Sequence, residues 1–170
     1  AGATVDEALA AATEHSERTG AVLIHPFDHP DIVAGQATVG LEIVEQHPEV
    51  RTVVVCTGGG GLLAGVSLGV AQTDATVIGV QASGAASYPA SLSAGHPVAL
   101  PQMHTLADGI AVAKPGQVDF DIIAAAGIEF LTVDDEQIAR AVVTCLERSK
   151  QVVEPSGAAG MAAVLSDPGR

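Results

Sequence analysis

Four consecutive glycines, Gly58 to Gly61, stand between the β-branched run "TVVVC" and the Leu/Ala-rich run that starts at Leu62. Consecutive glycines let backbone N–H groups converge on one point with no side chain in the way, and a helix N-terminus behind them adds partial positive charge. The stretch has two readings: an anion cradle suited to a phosphate, or a tight turn that lets a helix pack closely on a sheet. Two glycines usually suffice for the turn, and four favour the cradle.

Among phosphate sites, the Walker pattern needs Gly-Lys-Ser/Thr, and Leu62-Leu63 stand there instead, which excludes ATP and GTP loops. Gly59, Gly61 and Ala64 satisfy the looser dinucleotide pattern G-x-G-x-x-A. The acid that should follow roughly 20 residues on to hold a ribose is replaced by Gln81 and Ser83, so a nicotinamide or flavin site is the weaker alternative. "GVSLG", Gly65 to Gly69, matches a nucleophile elbow. Its Ser67 falls inside the helix rather than on the strand-to-helix turn, and no His follows His104, which argues against a hydrolase triad. His25, Asp28, His29 and Asp31 crowd into "HPFDHPD", but the prolines break the helical spacing that zinc sites use. The segment reads as a polar loop in which Asp28 or Asp31 caps a helix. Cys56 and Cys145 lack metal-site spacing and read as core thiols of a reducing compartment.

These residues need a scaffold, and 170 residues with 48% hydrophobic and 16% charged side chains suffice for one domain with a real core. Aromatics make up 2%, so Val, Ile, Leu and Ala must fill that core. A net charge of −13, with scattered Lys and Arg, argues against nucleic acid. Thr52 to Thr73 lacks charge over a length that could span a bilayer, with Gly61, Gly65 and Gly69 forming a small-residue face. Four adjacent glycines in a helix would cost about 4 kcal/mol against alanine, so strand, loop and helix explain the stretch better than a membrane span. An acidic N-terminus carrying Asp6 and Glu7 does not read as a signal peptide.

Thr4 and Glu7 form a capping box for a first helix that Gly20 ends, and "AVLIHPF" (21–27) reads as a strand. A helix follows from Pro30 to His47. "RTVVVCT", "ATVIGVQA" and "IEFLTV" read as strands, each followed by a helical segment, with a short helix in "AASYPASLSAG" and further helices over Gln117–Ala126 and from Pro155. The long irregular stretch His96–Lys114 is of the kind that carries function. Strands alternating with helices predict an α/β fold: a three-layer parallel sheet with helices on both faces.

"IHPFDHPDIVAGQATVGLEIVEQ", "VVVCTGGGGLLAGV", "AGHPVALP", "LADGIAV" and "VVEPSGAAGMAAVL", in this order, resemble the threonine/serine dehydratase and serine racemase branch of the pyridoxal-phosphate enzymes, which share the tryptophan synthase β-subunit-like fold. The resemblance implies that Gly58, Gly59, Gly60, Gly61 and Leu62 hold the phosphate of pyridoxal 5'-phosphate. It implies that Gly109 and Asp108 of "LADG" lie beside the cofactor ring and the substrate, and that Glu154 lies near the ring's nitrogen side. For Glu154, a capping carboxylate ahead of the Pro155 helix is an equal reading. Residues 1–24 would end the small substrate-side domain, and residues 25–170 would be a large cofactor domain truncated at its C-terminus.

The departures shape the expectation as much as the matches. No Ser-Phe-Lys-x-Arg-Gly motif is present to supply the Schiff-base lysine, and the lysines here, Lys114 and Lys150, sit in a Pro-Gly turn and at a helix end, so the chain carries no catalytic residue of its own. Relatives with a divalent metal place acids where Gln81 and Ser87 stand, so no metal is expected. Ala37 replaces a glycine usual in the family. The resemblance implies part of a cytoplasmic lyase that converts L-threonine or L-serine to a 2-oxo acid and ammonia. The incomplete fold would need the missing N-terminal segment or a companion chain, would self-associate as a homo-oligomer, and would be inactive alone. The alternative is a non-catalytic phosphate- or cofactor-binding α/β domain.

Overall fold

Thr52–Cys56 (β1), Thr76–Ala82 (β2) and Glu129–Val133 (β3) form a parallel sheet in the order β1-β2-β3, with Thr52 opposite Thr76 and Ile78 opposite Glu129. The computed structural model describes residues 5–167. The helices are Val5–Thr19 (α1), Pro30–Gln46 (α2), Gly61–Gly69 (α3), Ser87–Ala94 (α4), Gln117–Ala125 (α5), Asp135–Thr144 (α6) and Pro155–Ser166 (α7). The helix read after β3 continues past α6 as a π-helical turn, Cys145–Ser149, and Asp134 with Gln137 forms a capping box that opens it.

The period of two along the strands sorts the core into two layers. Val53, Val55 and Val77 turn to one face, where Val33 of α2, Leu63 and Val66 of α3, Tyr88 of α4, and Phe120 and Ile123 of α5 cover them. Val80, Ala82 and Val133 turn to the other, against Ile138 and Ala141 of α6 and Ala158, Ala159 and Ala162 of α7. The small residues of α7 let its backbone approach the sheet, and the Gly160 amide donates to Cys56 Sγ at 3.2 Å. Burial is the main influence on the Cys56 thiol and pushes its pKa up, so it stays a protonated packing group; neither cysteine is in a disulfide.

The glycine spacing that could have suggested a membrane helix is used in helix crossing. A Cβ at Gly65 would stand 2.7 Å from the Ala37 nitrogen, and one at Gly69 would stand 2.5 Å from the Ala37 oxygen and 2.8 Å from Gly40 Cα. Ala37 therefore lies on the line along which α2 and α3 touch. Gly69→Ala is expected to lower stability by about 2 kcal/mol, because backbone on both sides leaves the methyl no room. Urea unfolding with an unchanged slope and a lower midpoint is the readout. Among the described residues no helix is long and apolar enough to cross a membrane.

Three local readings are corrected or fall outside the described residues. Residues 21–27 form no strand: they find no neighbour in the three-stranded sheet, and Val22 and Ile24 are 89% and 74% exposed. Strand propensity without a pairing partner yields irregular backbone. The cap of α2 is neither Asp28 nor Asp31 but His29, whose Nδ1 accepts the Asp31 amide at 3.1 Å; Asp28 instead reaches across the fold to cap α5, accepting the Val118 amide at 2.8 Å. The capping box read at Thr4 lies outside the described residues, while Gly20 does end α1, with a φ of 73°.

Candidate functional site

The C-terminal ends of the parallel strands, where α/β sheets bind ligands, carry the glycine loop between β1 and α3. Three carbonyls along it are held by bonds within the protein. The Thr57 oxygen accepts Gln81 Nε2 at 3.4 Å. The Gly59 oxygen accepts the Tyr88 hydroxyl at 3.0 Å and the Gly116 amide at 3.1 Å, and the Gly60 oxygen accepts the Ala64 amide at 2.8 Å. In a trans peptide the C=O and the following N–H point in opposite directions. Anchoring these three oxygens inward therefore turns the amides of Gly58, Gly60 and Gly61 outward. These amides and that of Leu62 have no hydrogen-bond partner among the described residues. They sit at the N-terminus of α3, whose dipole adds to their pull on an anion.

The loop is also tightly packed, so the two readings of its glycines coexist. Gly60 has φ 119°, and a Cβ there would fall 2.0 Å from Tyr88 Oη and 2.8 Å from Asp119 Cβ. The Phe27 ring occupies the space beside Gly59, 2.5 Å from where a Cβ would stand, and Phe27 also flanks Gly61. Gly58 lies against Ile110 Cα and a Val112 methyl, at 3.2 and 3.1 Å.

Behind the loop, Tyr88, Gln81 and Asp119 are fully buried. Gln81 Oε1 accepts the Tyr88 amide at 2.9 Å, and the Tyr88 ring stacks on Phe130 with centroids 4.7 Å apart, so the phenol is fixed in position. Burial, then the nearby Asp119 and Asp28 charges, raises the Tyr88 pKa and keeps the hydroxyl a donor. Both carboxylate oxygens of Asp119 lack a partner among the described residues. Its pKa rises to about 7, first because burial disfavours the charged form and second because Asp28 is close.

The other residues singled out in the sequence come to the same end of the sheet. A short 3-10 turn, Asp108–Ile110, places Gly109 where a Cβ would lie 2.8 Å from Ser156 Oγ and 3.6 Å from Glu154 Oε1. Asp135 holds this turn from below: Thr105 Oγ1 donates to its carboxylate at 2.6 Å, and the Leu106 amide does so at 3.2 Å. Asp108 and Glu154 are exposed, and Leu62 is 40% exposed. Glu154 occupies the N-cap of α7 without a side-chain capping bond, so the capping reading finds no support in its geometry. Ser156 is 4% exposed, and its hydroxyl has no partner among the described residues. The inward-facing Tyr88 and Gln81, the packed Phe27 and the buried Ser156 were not identifiable as site residues in the sequence. Gln81 was conspicuous only for not being an acid.

Four outward amides at a helix start are chemically matched to the oxygens of a phosphate monoester. An orphaned buried hydroxyl beside Gly109 is matched to a polar ring substituent. The whole chain, residues 1–170, matches the family described as pyridoxal-phosphate dependent enzyme. It is 47% identical over 163 residues to the L-threonine ammonia-lyase of Thermotoga maritima, covering 95% of this chain and 41% of that protein. It is 40% identical to the biosynthetic L-threonine dehydratase of Escherichia coli K12, covering 95% of this chain and 32% of that one. Among solved structures, the T.th. threonine deaminase superposes with a TM-score of 0.88 at 39% identity, over 94% of this chain and 59% of that one. Maize serine racemase gives 0.90 at 36%, over 97% and 52%. The chain thus spans about two fifths of the length of the first curated relatives, 41% and 42%.

Proposed function

We propose, from the premise that this chain belongs to the pyridoxal-phosphate dependent enzyme family, that it is the cofactor-holding portion of an ammonia-lyase acting on L-threonine or L-serine. The observation that carries the reading is the set of outward amides at Gly58, Gly60, Gly61 and Leu62, each fixed by a bond made elsewhere or by the first turn of α3. With Gly59, which lets the loop close under Phe27, they would hold the phosphate through the backbone alone. Gly109 and Glu154 would border the ring, with the Ser156 hydroxyl as a further polar contact, and exposed Asp108 would face the amino-acid substrate. When bound, pyridoxal phosphate supplies an electron sink that lets an amino acid lose its Cα proton and then its β-hydroxyl.

This chain's part is to bind and orient. Lys150 Nζ donates to the Glu147 carbonyl at 2.6 Å at a helix end, and Lys114 belongs to the turn before α5, so neither is offered as the catalytic base. The base is assigned to a lysine outside these 170 residues. The same reading takes residues 1–24 as the end of a small domain and 25–170 as the large one, in a cytoplasmic homo-oligomer. The exposed apolar side chains of Val22, Ile24 and Leu41 support a covered surface there.

The experiment is borohydride reduction of the protein from its native source, prepared with pyridoxal phosphate, followed by denatured intact mass and a 2-oxo acid assay. A pyridoxyl adduct on a species well above 17.0 kDa, with 2-oxo acid formed from L-threonine or L-serine, is expected. A 17.0 kDa species without adduct and without product would overturn the reading.

A further inference from the structure

Two consecutive acids open α6, and they do different work. Asp134 caps the helix itself: its carboxylate accepts the Gln137 amide at 2.8 Å, and Gln137 Oε1 accepts the Asp134 amide at 2.8 Å. Asp135 stands in the first helical turn, where the helix dipole alone would favour an acid. Its carboxylate is engaged elsewhere. Oδ1 accepts the hydroxyl of Thr105, 30 residues earlier in the chain, at 2.6 Å, and the Leu106 amide lies 3.2 Å from both carboxylate oxygens. The bonding continues from there. Thr105 Oγ1, its hydrogen committed to Asp135, accepts the Ala107 amide at 3.1 Å. The Ala107 carbonyl accepts the Ile110 amide at 3.2 Å and the Asp108 carbonyl accepts the Ala111 amide at 3.1 Å, which closes the turn Asp108–Ile110.

We infer that Asp135 is a positioning residue for the site: through Thr105 and Leu106 its carboxylate sets the Asp108–Ile110 turn, and with it the edge at Gly109, the presentation of Asp108 and the support behind Gly58. Ala107 and Ile110 are buried in the same layer as Ile138 and Ala141 of α6, and that apolar contact holds the turn to the helix. Hydrophobic contact has no direction, whereas a charge-assisted hydrogen bond does, so the rotation of the turn falls to Asp135. Two consequences follow at the site. Gly109 meets Ser156 Oγ and Glu154 Oε1 only at this rotation, and Ile110 Cα stands 3.2 Å from where a Cβ at Gly58 would lie, directly behind the glycine loop. What the turn borders rests on the cofactor reading proposed above; that Asp135 sets the turn does not.

The test is amide hydrogen exchange on the 170-residue chain in three variants. Asp135→Ala removes the acceptor, Thr105→Val removes the hydroxyl that relays it, and Asp135→Asn keeps Oδ1, which takes both bonds. Exchange at Ile110 and Ala111 is expected to rise by about tenfold in the first two and to stay near the parent rate in the third. The Thr57 and Phe120 amides, bonded to the Val80 and Gly116 carbonyls away from the turn, report general loss of stability and are expected to hold their rates. Unchanged exchange at Ile110 and Ala111 in both disruptive variants, an equal rise at Thr57 and Phe120, or Asp135→Asn exchanging as fast as Asp135→Ala overturns the inference. Loss of fold in one disruptive variant leaves the other to decide. Affinity for pyridoxine 5'-phosphate, followed at the Gly60 and Leu62 amides, is expected to fall in Asp135→Ala and Thr105→Val and to return in Asp135→Asn. Equal affinity in all of them overturns the link from the turn to the loop. No binding by the parent counts against the cofactor reading instead, and the exchange rates still decide whether Asp135 sets the turn.

Discussion

Gly60→Ala is expected to abolish the phosphate-binding form of the loop and to destabilise the protein by about 4 kcal/mol. Three costs add. A left-handed φ of 119° is strained for any residue with a Cβ. The added carbon would fall 2.0 Å from Tyr88 Oη and 2.8 Å from Asp119 Cβ, which is overpacking of a kind that costs roughly 1–3 kcal/mol. Moving Tyr88 to relieve it breaks the hydroxyl's bond to the Gly59 carbonyl and leaves a buried hydroxyl unpaired, about 1–3 kcal/mol more. Gly58→Ala is the comparison: its nearest side-chain neighbour is a single Val112 methyl at 3.1 Å, so the loss should be smaller. Chemical denaturation of both variants, beside their affinity for a phosphate ligand, measures the two parts separately. Equal effects at positions 58 and 60 would mean that the Tyr88–Gly59 strut does not set the loop.

Replacing Asp119 by Asn is expected to change how stability depends on pH. In the unfolded chain this carboxyl releases its proton near the ordinary aspartate value, about 4. In the fold it keeps the proton until about pH 7. Between those values unfolding releases a proton, so stability falls as pH rises by up to about 1.4 kcal/mol per unit, and it levels off above pH 7. The whole effect is on the order of 4 kcal/mol, present in full below pH 4 and lost by pH 7. Asp119→Asn removes that slope, so the variant should gain on the parent from pH 4 to 7 and hold the gain at pH 8. Ionised Asp119 also places negative charge beneath Gly60, so the parent's affinity for a phosphate ligand should fall above pH 7 more than the variant's. Guanidinium unfolding at pH 5 and pH 8 reads the stability part; parallel slopes in the two proteins would refute it.

The sheet and its helices were legible because their signals are local. Val53 to Val55 is a β-branched run, Val77, Ile78 and Val80 are β-branched around Gly79, and α6 carries its own cap at Asp134. The glycine loop was legible as well, since its position after a strand and before a helix already implied outward amides. What orients those amides was not legible. Tyr88 acts on Gly59 from 29 residues away, and Asp28 caps α5 from 90 residues away, distances over which a sequence gives no pairing rule. Gln81 was weighed for a charge it lacks, while its contribution is an amide that bonds both Thr57 and Tyr88. The strand read over residues 21–27 failed for a similar reason: its apolar side chains predict burial, but the partner that would bury them is not in this sheet.

The proposed uptake of the cofactor's phosphate by the backbone amides of Gly58, Gly60, Gly61 and Leu62 can be tested amide by amide. The measurement is a ¹H–¹⁵N correlation titration of the 170-residue chain with pyridoxine 5'-phosphate, which has no aldehyde to react with lysines, against pyridoxine as control. Saturable shifts centred on the amides of Gly58, Gly60, Gly61 and Leu62 are expected with the phosphate ester, and none there with pyridoxine. Shifts of equal size with pyridoxine, or phosphate-dependent shifts centred anywhere but this loop, would contradict phosphate binding by these amides.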